Sequence, residues 1–255
     1  MGIGLNKQIW AWAHRKDSLF NAHGIKIHSK TTPSRGAELF HAGRIFMALS
    51  PSEAEAEAVA GFGRVVWRIH AKDNFDFSQD LNSVRALAGT QANINGVVVD
   101  DLTSTEIGKR GMKTADLARL REQVHGGDKP LDLWGVIYSM NLGIPSLGDY
   151  LRELDGVTFW VWEARDIASL EDDFKKAEKL VRDKPILLGI YTYDFGGEKP
   201  MPMDMMRHQC ALAEKWLEEG RITGVVMHCT CIADFPQPAV QYAYEWTGLL
   251  GQSPA

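Results

Sequence analysis

The chain has 255 residues, with 28 Lys+Arg against 33 Asp+Glu, a formal charge of −5 and a pI near 5.9. No basic run or stripe accompanies that balance, which argues against a nucleic-acid partner, and no apolar run approaches the ~20 residues of a membrane span. The three cysteines, Cys210, Cys229 and Cys231, lack the paired spacing of a structural zinc site and imply no disulfide.

Eight apolar runs follow in chain order: Gln8–Ala13, Arg44–Leu49, Arg64–His70, Ile94–Asp100, Leu133–Ser139, Val157–Glu163, Ile186–Asp194 and Gly224–His228. Most are apolar on consecutive residues, as parallel strands covered on both faces are. Helical periodicity fills the gaps, over Ser34–His41, Ser52–Ala60, Gln79–Ala88, Thr114–Val124, Leu147–Leu154, Ser169–Arg182, Asp204–Glu219 and Ala239–Leu250. Ser52 with Glu55 three residues on is a helix start, and Gly220 is a stop. The alternation predicts an α/β protein, a single (β/α)8 TIM barrel over 1–255, close to the usual ~250 residues of that fold. A doubly wound sheet is the rival, but no GxGxxG or GxxxxGK(S/T) loop follows an early strand. The EAEAEA run at Glu53–Ala58 reads as a solvated helix face. The start, MGIGLNKQ, lacks the charged-then-apolar pattern of a signal peptide, so a soluble protein is expected, with the cytoplasm favoured.

Active sites of such barrels lie at the C-terminal ends of the strands. The residues there are acidic and aromatic: Trp12 and His14 after strand one, Arg68 and His70 after three, Asp100 and Asp101 after four, and Tyr138, Ser139 and Asn141 after five. Trp162, Glu163 and Arg165 follow strand six, Tyr191, Tyr193 and Asp194 strand seven, and His228 and Thr230 strand eight.

The sharpest element is Val97–Asp101, VVVDD. Adjacent carboxylates emerging from an apolar wall repel each other and lose solvation, so at least one has its pKa raised unless a cation sits beside it. The competing reading makes one Asp a cap for the turn at Thr103 or Ser104. Glu163, two strands away, is a candidate second carboxyl group for glycoside hydrolysis, in which one carboxyl protonates the departing oxygen and the other attacks or activates water. Its competing reading is an ion pair with Arg165 or Arg68, and Asp194 is the alternative second acid.

Six of the eight tryptophans fall on the strand runs, and aromatic faces beside carboxylates suit the C–H faces of a sugar. Alternation puts Trp160 and Trp162 on one side of strand six and Glu163 on the other, so an inward Glu163 sends Trp160 against the helices. The expected catalytic residues are Asp100, Asp101 and Glu163, and the expected substrate contacts are Trp12, Arg68, Tyr138, Trp162, Tyr191, Asp194 and His228. His228 is open to three roles: general base, metal ligand or hydrogen-bonding contact. A divalent cation can be assembled from Asp100, Asp101, Glu163, Asp194 and His228, but no motif calls for one, and neither a metal site nor a cofactor is assigned. The loops Asp101–Lys113 and Asp194–Asp204 are expected to wall the site. Met201, Met203, Met205 and Met206 read as gap-fillers.

Two barrel families are set aside on residues. Metal-dependent amidohydrolases carry H-x-H on strand one, where this chain has WAWAH. Glycerophosphodiester phosphodiesterases share Ala13–His14–Arg15 in part, but Lys16 stands at their glycine and Gly43–Ser50 lacks their E-x-D. An acid after strand four with another after strand six resembles barrel glycosidases of the α-galactosidase and α-glucosidase type, carried here by Asp100 or Asp101 and Glu163, although that second acid is usually Asp. The stretch from Ile186 to Phe235 also looks like barrel proteins associated with carbohydrate use. These resemblances imply a hydrolase acting on a small-molecule or oligosaccharide substrate. The alternatives carried forward are a divalent-metal-dependent lyase, aldolase or isomerase acting on a small sugar or sugar acid, and a non-catalytic sugar-binding barrel.

Overall fold

The computed structural model describes residues 6–250; the first five residues, which belong to the start examined for a leader, lie outside them. Eight strands form a closed barrel: β1 (Asn6–Ala13), β2 (Ala42–Met47), β3 (Arg64–Ile69), β4 (Ile94–Val99), β5 (Asp132–Tyr138), β6 (Gly156–Trp160), β7 (Ile186–Tyr191) and β10 (Gly224–His228). Every neighbouring pair is parallel, and β10 closes against β1 with Trp12 beside His228. The expected (β/α)8 barrel is the observed fold. Strand six stops at Trp160, short of the expected Glu163. The end of the strand-seven run leaves the barrel as β8 (Tyr193–Asp194), which pairs antiparallel with β9 (Lys199–Pro200).

Helices α1 (Pro33–Leu39), α2 (Glu53–Ala58), α3 (Ser78–Thr90), α4 (Thr114–His125), α5 (Leu147–Arg152), α6 (Leu170–Val181), α7 (Met203–Glu218) and α8 (Pro238–Leu250) alternate with the barrel strands. Ser52 Oγ accepts from the Glu55 amide, as its capping signal implies. On α6, Leu170, Phe174, Ala177 and Val181 make a buried stripe at helical spacing. Phe174 then stacks on Trp216 of α7 at 4.1 Å, a burial worth about 1.5–3 kcal/mol for the phenyl ring alone. Among the described residues no helix is long and apolar enough to cross a membrane.

The barrel interior is filled by large rings facing glycines. β1 and β5 stand opposite each other in the strand order, yet the Trp10 and Trp134 rings come within 6.0 Å, with Phe46 at 4.8 Å from Trp10 and 5.9 Å from Trp134. They therefore meet across the middle of the barrel. A Cβ at Gly156 would lie 2.5 Å from the Trp134 ring, and one at Gly189 would lie 2.0 Å from Trp160. Small residues on β6 and β7 thus offset tryptophans on β5 and β6, as close packing requires. Side chains alternate along a strand, so the next inward layer is Trp12, Asp100, Tyr138, Trp160, Tyr191 and His228, two residues beyond Trp10, Val98, Val136, Thr158, Gly189 and Val226. That layer meets solvent at the C-terminal mouth.

Candidate active site

A cavity of about 140 Å³ opens at this mouth, lined by Trp12, His14, Asp100, Asp101, Tyr138, Trp160, Trp162, Tyr191 and His228, and also by Leu19, His23, Val136 and Phe195. Its polar chemistry centres on two consecutive aspartates. In a continuing strand, Asp101 would point away from the face Asp100 occupies. The chain instead turns at Asp101 into the left-handed region, φ 50° and ψ 31°, which short polar side chains tolerate best after glycine. The alternation is broken, and both carboxyl groups line one cavity.

Their surroundings differ. Asp100 Oδ2 accepts from Arg68 Nη1 at 3.2 Å and Oδ1 from the Asp101 amide at 3.0 Å. Burial and then the neighbouring Asp101 charge raise the Asp100 carboxyl above its ordinary value, against the opposing pull of Arg68. Asp101 Oδ1 accepts from the Tyr138 hydroxyl at 2.8 Å. The turn after it is a short π-helix, Leu102–Ile107, whose Glu106 pairs with Arg110 at 2.7 Å. The competing reading, one Asp carboxyl capping the turn at Thr103 or Ser104, does not hold among the described residues: no side chain caps that turn, and Ser104 Oγ donates to the Asp101 carbonyl.

The walls are aromatic and neutral. Burial holds the Tyr138 and Tyr191 phenols well above their ordinary value. Burial, followed by the Arg68 charge, pushes the His14 imidazole down to about 4, and burial with the His14 and His23 charges pushes His228 down as well. Trp160 spans the floor, its Nε1 donating to Thr158 Oγ1 at 2.7 Å, with Trp12 at 5.8 Å and Tyr191 at 4.9 Å. Trp162 stands beside Tyr138, Tyr191 and Phe195.

Of the residues expected at the site, Asp100, Asp101, Trp12, Tyr138, Trp162, Tyr191 and His228 line the cavity, and Arg68 adjoins it through Asp100. Glu163 and Asp194 do not line it. Glu163 lies beyond the end of β6 and pairs with the exposed Arg165 at 2.8 Å. Asp194 is buried, and its Oδ1 accepts from the Ala164 and Gly197 amides at 3.0 and 2.9 Å, bracing the hairpin turn. The four acids and His228 from which a cation site could be assembled are not brought together: Asp194 and Glu163 have other partners. Among the described residues, the group whose ligand atoms do come together is His14, His228 and Cys229, all within 4.8 Å of one another.

Four cavity residues, Trp160, Val136, Leu19 and His23, lie outside both the strand-end set and the expected wall loops. An inward Glu163 would send Trp160 against the helices; Trp160 instead lines the cavity beside Trp12. Leu19 and His23 come from the long loop after β1, which has no periodicity to read. Tertiary contacts pin that loop: the Tyr193 hydroxyl donates to the His23 carbonyl at 2.9 Å, and Asp234 accepts from Ser29 Oγ and the Lys30 amide. The Asp194–Asp204 loop contributes only Phe195 to the cavity and the Asp101–Lys113 loop only Asp101 itself.

No protein-family profile matches this sequence, and no curated protein matches it significantly. Solved structures do match in fold. The GH99 endo-alpha-mannosidase from Bacteriodes thetaiotaomicron superposes with a TM-score of 0.60 at 10% identity, over 96% of each chain. Active domain 2 of the thermostable chitinase from Pyrococcus furiosus gives 0.58 at 11%, over 98% of each. An archaeal fructose-1,6-bisphosphate aldolase gives 0.56 at 13%, over 98% of this chain and 95% of that one. The chain shares its barrel with glycoside hydrolases and aldolases alike, and at these identities the likeness is one of fold.

Proposed function

We propose that this barrel is a glycoside hydrolase whose working groups are Asp100 and Asp101. The observation that carries the reading is the pair itself: two consecutive carboxyl groups turned into one aromatic cavity, with unlike partners. Asp100, with its raised affinity for a proton, is the general acid that protonates the departing glycosidic oxygen. Asp101, oriented by the Tyr138 hydroxyl, accepts a hydrogen bond from the reacting sugar and offsets the positive charge that develops on the ring. Trp12, Trp160 and Trp162 present faces for the sugar C–H bonds, and Tyr191 and His228 bond to hydroxyls.

Neighbouring residues on one strand end approach the sugar from one side. Glu163 does not line the cavity, so the nucleophile comes from water or from the substrate itself. A 2-acetamido sugar supplies one, its carbonyl oxygen attacking the anomeric carbon while Asp101 accepts from its N–H; substrate assistance of this kind is a known departure from the two-carboxylate scheme. An imine mechanism is not favoured, because no lysine lines the cavity. The metal-dependent alternative draws on the His14, His228 and Cys229 group.

The test is a panel of aryl glycosides with and without a 2-acetamido group, assayed with the native chain, Asp100→Asn and Asp101→Asn. Turnover that falls by ~10²–10⁴ in the Asp100 variant, the range of a lost acid, supports hydrolysis. Sugar binding without turnover, unchanged in both variants, establishes a binding barrel instead.

A further inference from the structure

His14 and His228 end strands that are neighbours in the barrel, β1 and β10, and Cys229 follows His228 directly. Their rings stand edge to face with centroids 5.5 Å apart, and one nitrogen from each ring and the Cys229 sulfur lie within 4.8 Å of one another. A second observation points to a missing partner. His228 Nδ1 is buried and has no hydrogen-bond partner among the described residues, an arrangement that costs free energy and is rare in native interiors. Around it stand ring faces and edges, Trp160, Tyr191 and Phe195 among them, at 4.7–5.7 Å between centroids.

We infer that His14, His228 and Cys229 form a binding site for a borderline-soft divalent cation, of which zinc is the type, held by two imidazole nitrogens and one thiolate. Two nitrogens and a sulfur select zinc-like ions over magnesium or calcium, which take oxygen ligands. Three protein ligands are also the number that leaves a zinc ion a position for water or substrate. His14 and His228 both line the cavity, so an ion on their nitrogens is reached from it. The Cys229 thiol is fully buried, and its proton departs to solvent as the cation binds. Cys231 Sγ, 3.4 Å from Cys229 Sγ, lies outside the three-ligand group and serves as an outer partner of the sulfur. The site shares His228 with the hydrolytic reading and is the group on which the metal-dependent alternative draws, so its test reads metal binding without turnover.

The experiment is a cobalt(II) titration of the full chain, stripped with chelator and kept reduced, followed by absorption and by competition with zinc. The expected result is stoichiometric cobalt with a thiolate-to-cobalt charge-transfer band in the near ultraviolet and tetrahedral d–d bands, all displaced by zinc. Cys229→Ser loses the charge-transfer band. His14→Ala weakens zinc by more than the ~10–100-fold that loss of an outer partner costs, and Cys231→Ser keeps the band. The native chain decides even where a variant fails to fold: no charge-transfer band in the native titration overturns the site, as does a band that survives in Cys229→Ser.

Discussion

The Tyr138 hydroxyl donates a 2.8 Å hydrogen bond to Oδ1 of Asp101, joining the end of β5 to the turn after β4. Through it a residue with left-handed backbone is held with its carboxyl group in the cavity rather than against the helices. Tyr138→Phe removes that bond with little change of shape. Hydrogen bonds to charged groups contribute about 1.5–3 kcal/mol, so kcat on a cleaved glycoside drops ~10- to 100-fold. The double variant with Asp101→Asn loses less than the two single losses combined, because both act on one interaction. Additive losses would show that Tyr138 works on something else.

Asp100 makes stability depend on pH with a definite sign. Its carboxyl binds a proton more tightly in the folded chain than the ordinary 3.8 of an exposed aspartate, through burial first and the Asp101 charge second. Below 3.8 both states hold the proton. Above it the unfolded chain ionises first, and stability falls until the raised folded value is passed. Asp100→Asn removes that fall, so its stability relative to the native chain rises across the window. Arg68→Met, which takes away the opposing cation, deepens the fall. Urea unfolding at a series of pH values from 3 to 8 reads both effects, and parallel curves for native and Asp100→Asn chains would remove the argument.

Glu163→Gln leaves turnover close to native and changes stability by about 0–1 kcal/mol, the worth of an exposed pair such as that with Arg165. Kinetics on any cleaved glycoside check this, and a loss on the scale of Asp100→Asn would restore Glu163 to the reaction. Asp194→Ala unfolds more readily, since each amide bond to its buried carboxylate contributes about 1.5–3 kcal/mol.

Gly189→Ala tests the packing beneath the site. The added methyl group would sit 2.0 Å from the Trp160 ring, and Trp160 is buried between Trp12 and Tyr191. Overpacking of this kind costs about 1–3 kcal/mol, and it moves the floor of the cavity. A lower urea midpoint together with altered near-ultraviolet circular dichroism from the tryptophans is the expected signature; an unchanged midpoint would mean that β6 and β7 yield freely.

The sequence by itself determined the barrel, because eight strands buried on both faces must be apolar along their length, and runs such as ILLGIY and GVVMH announce that whatever surrounds them. It also located the acidic pair, since VVVDD can only place carboxyl groups at the end of a buried strand. Which way side chains face past a strand end was decided only by the tertiary structure. The strict alternation that relates Trp160 to Glu163 leaves the phase open, and the phase was settled by Trp160 filling the space that Gly189 vacates on the next strand. The turn at Asp101 obeys no period, and Tyr138 secures it from 37 residues away in sequence. His14 and Cys229 lie 215 positions apart, so nothing in their spacing marks them as partners. They meet because the barrel closes β1 onto β10.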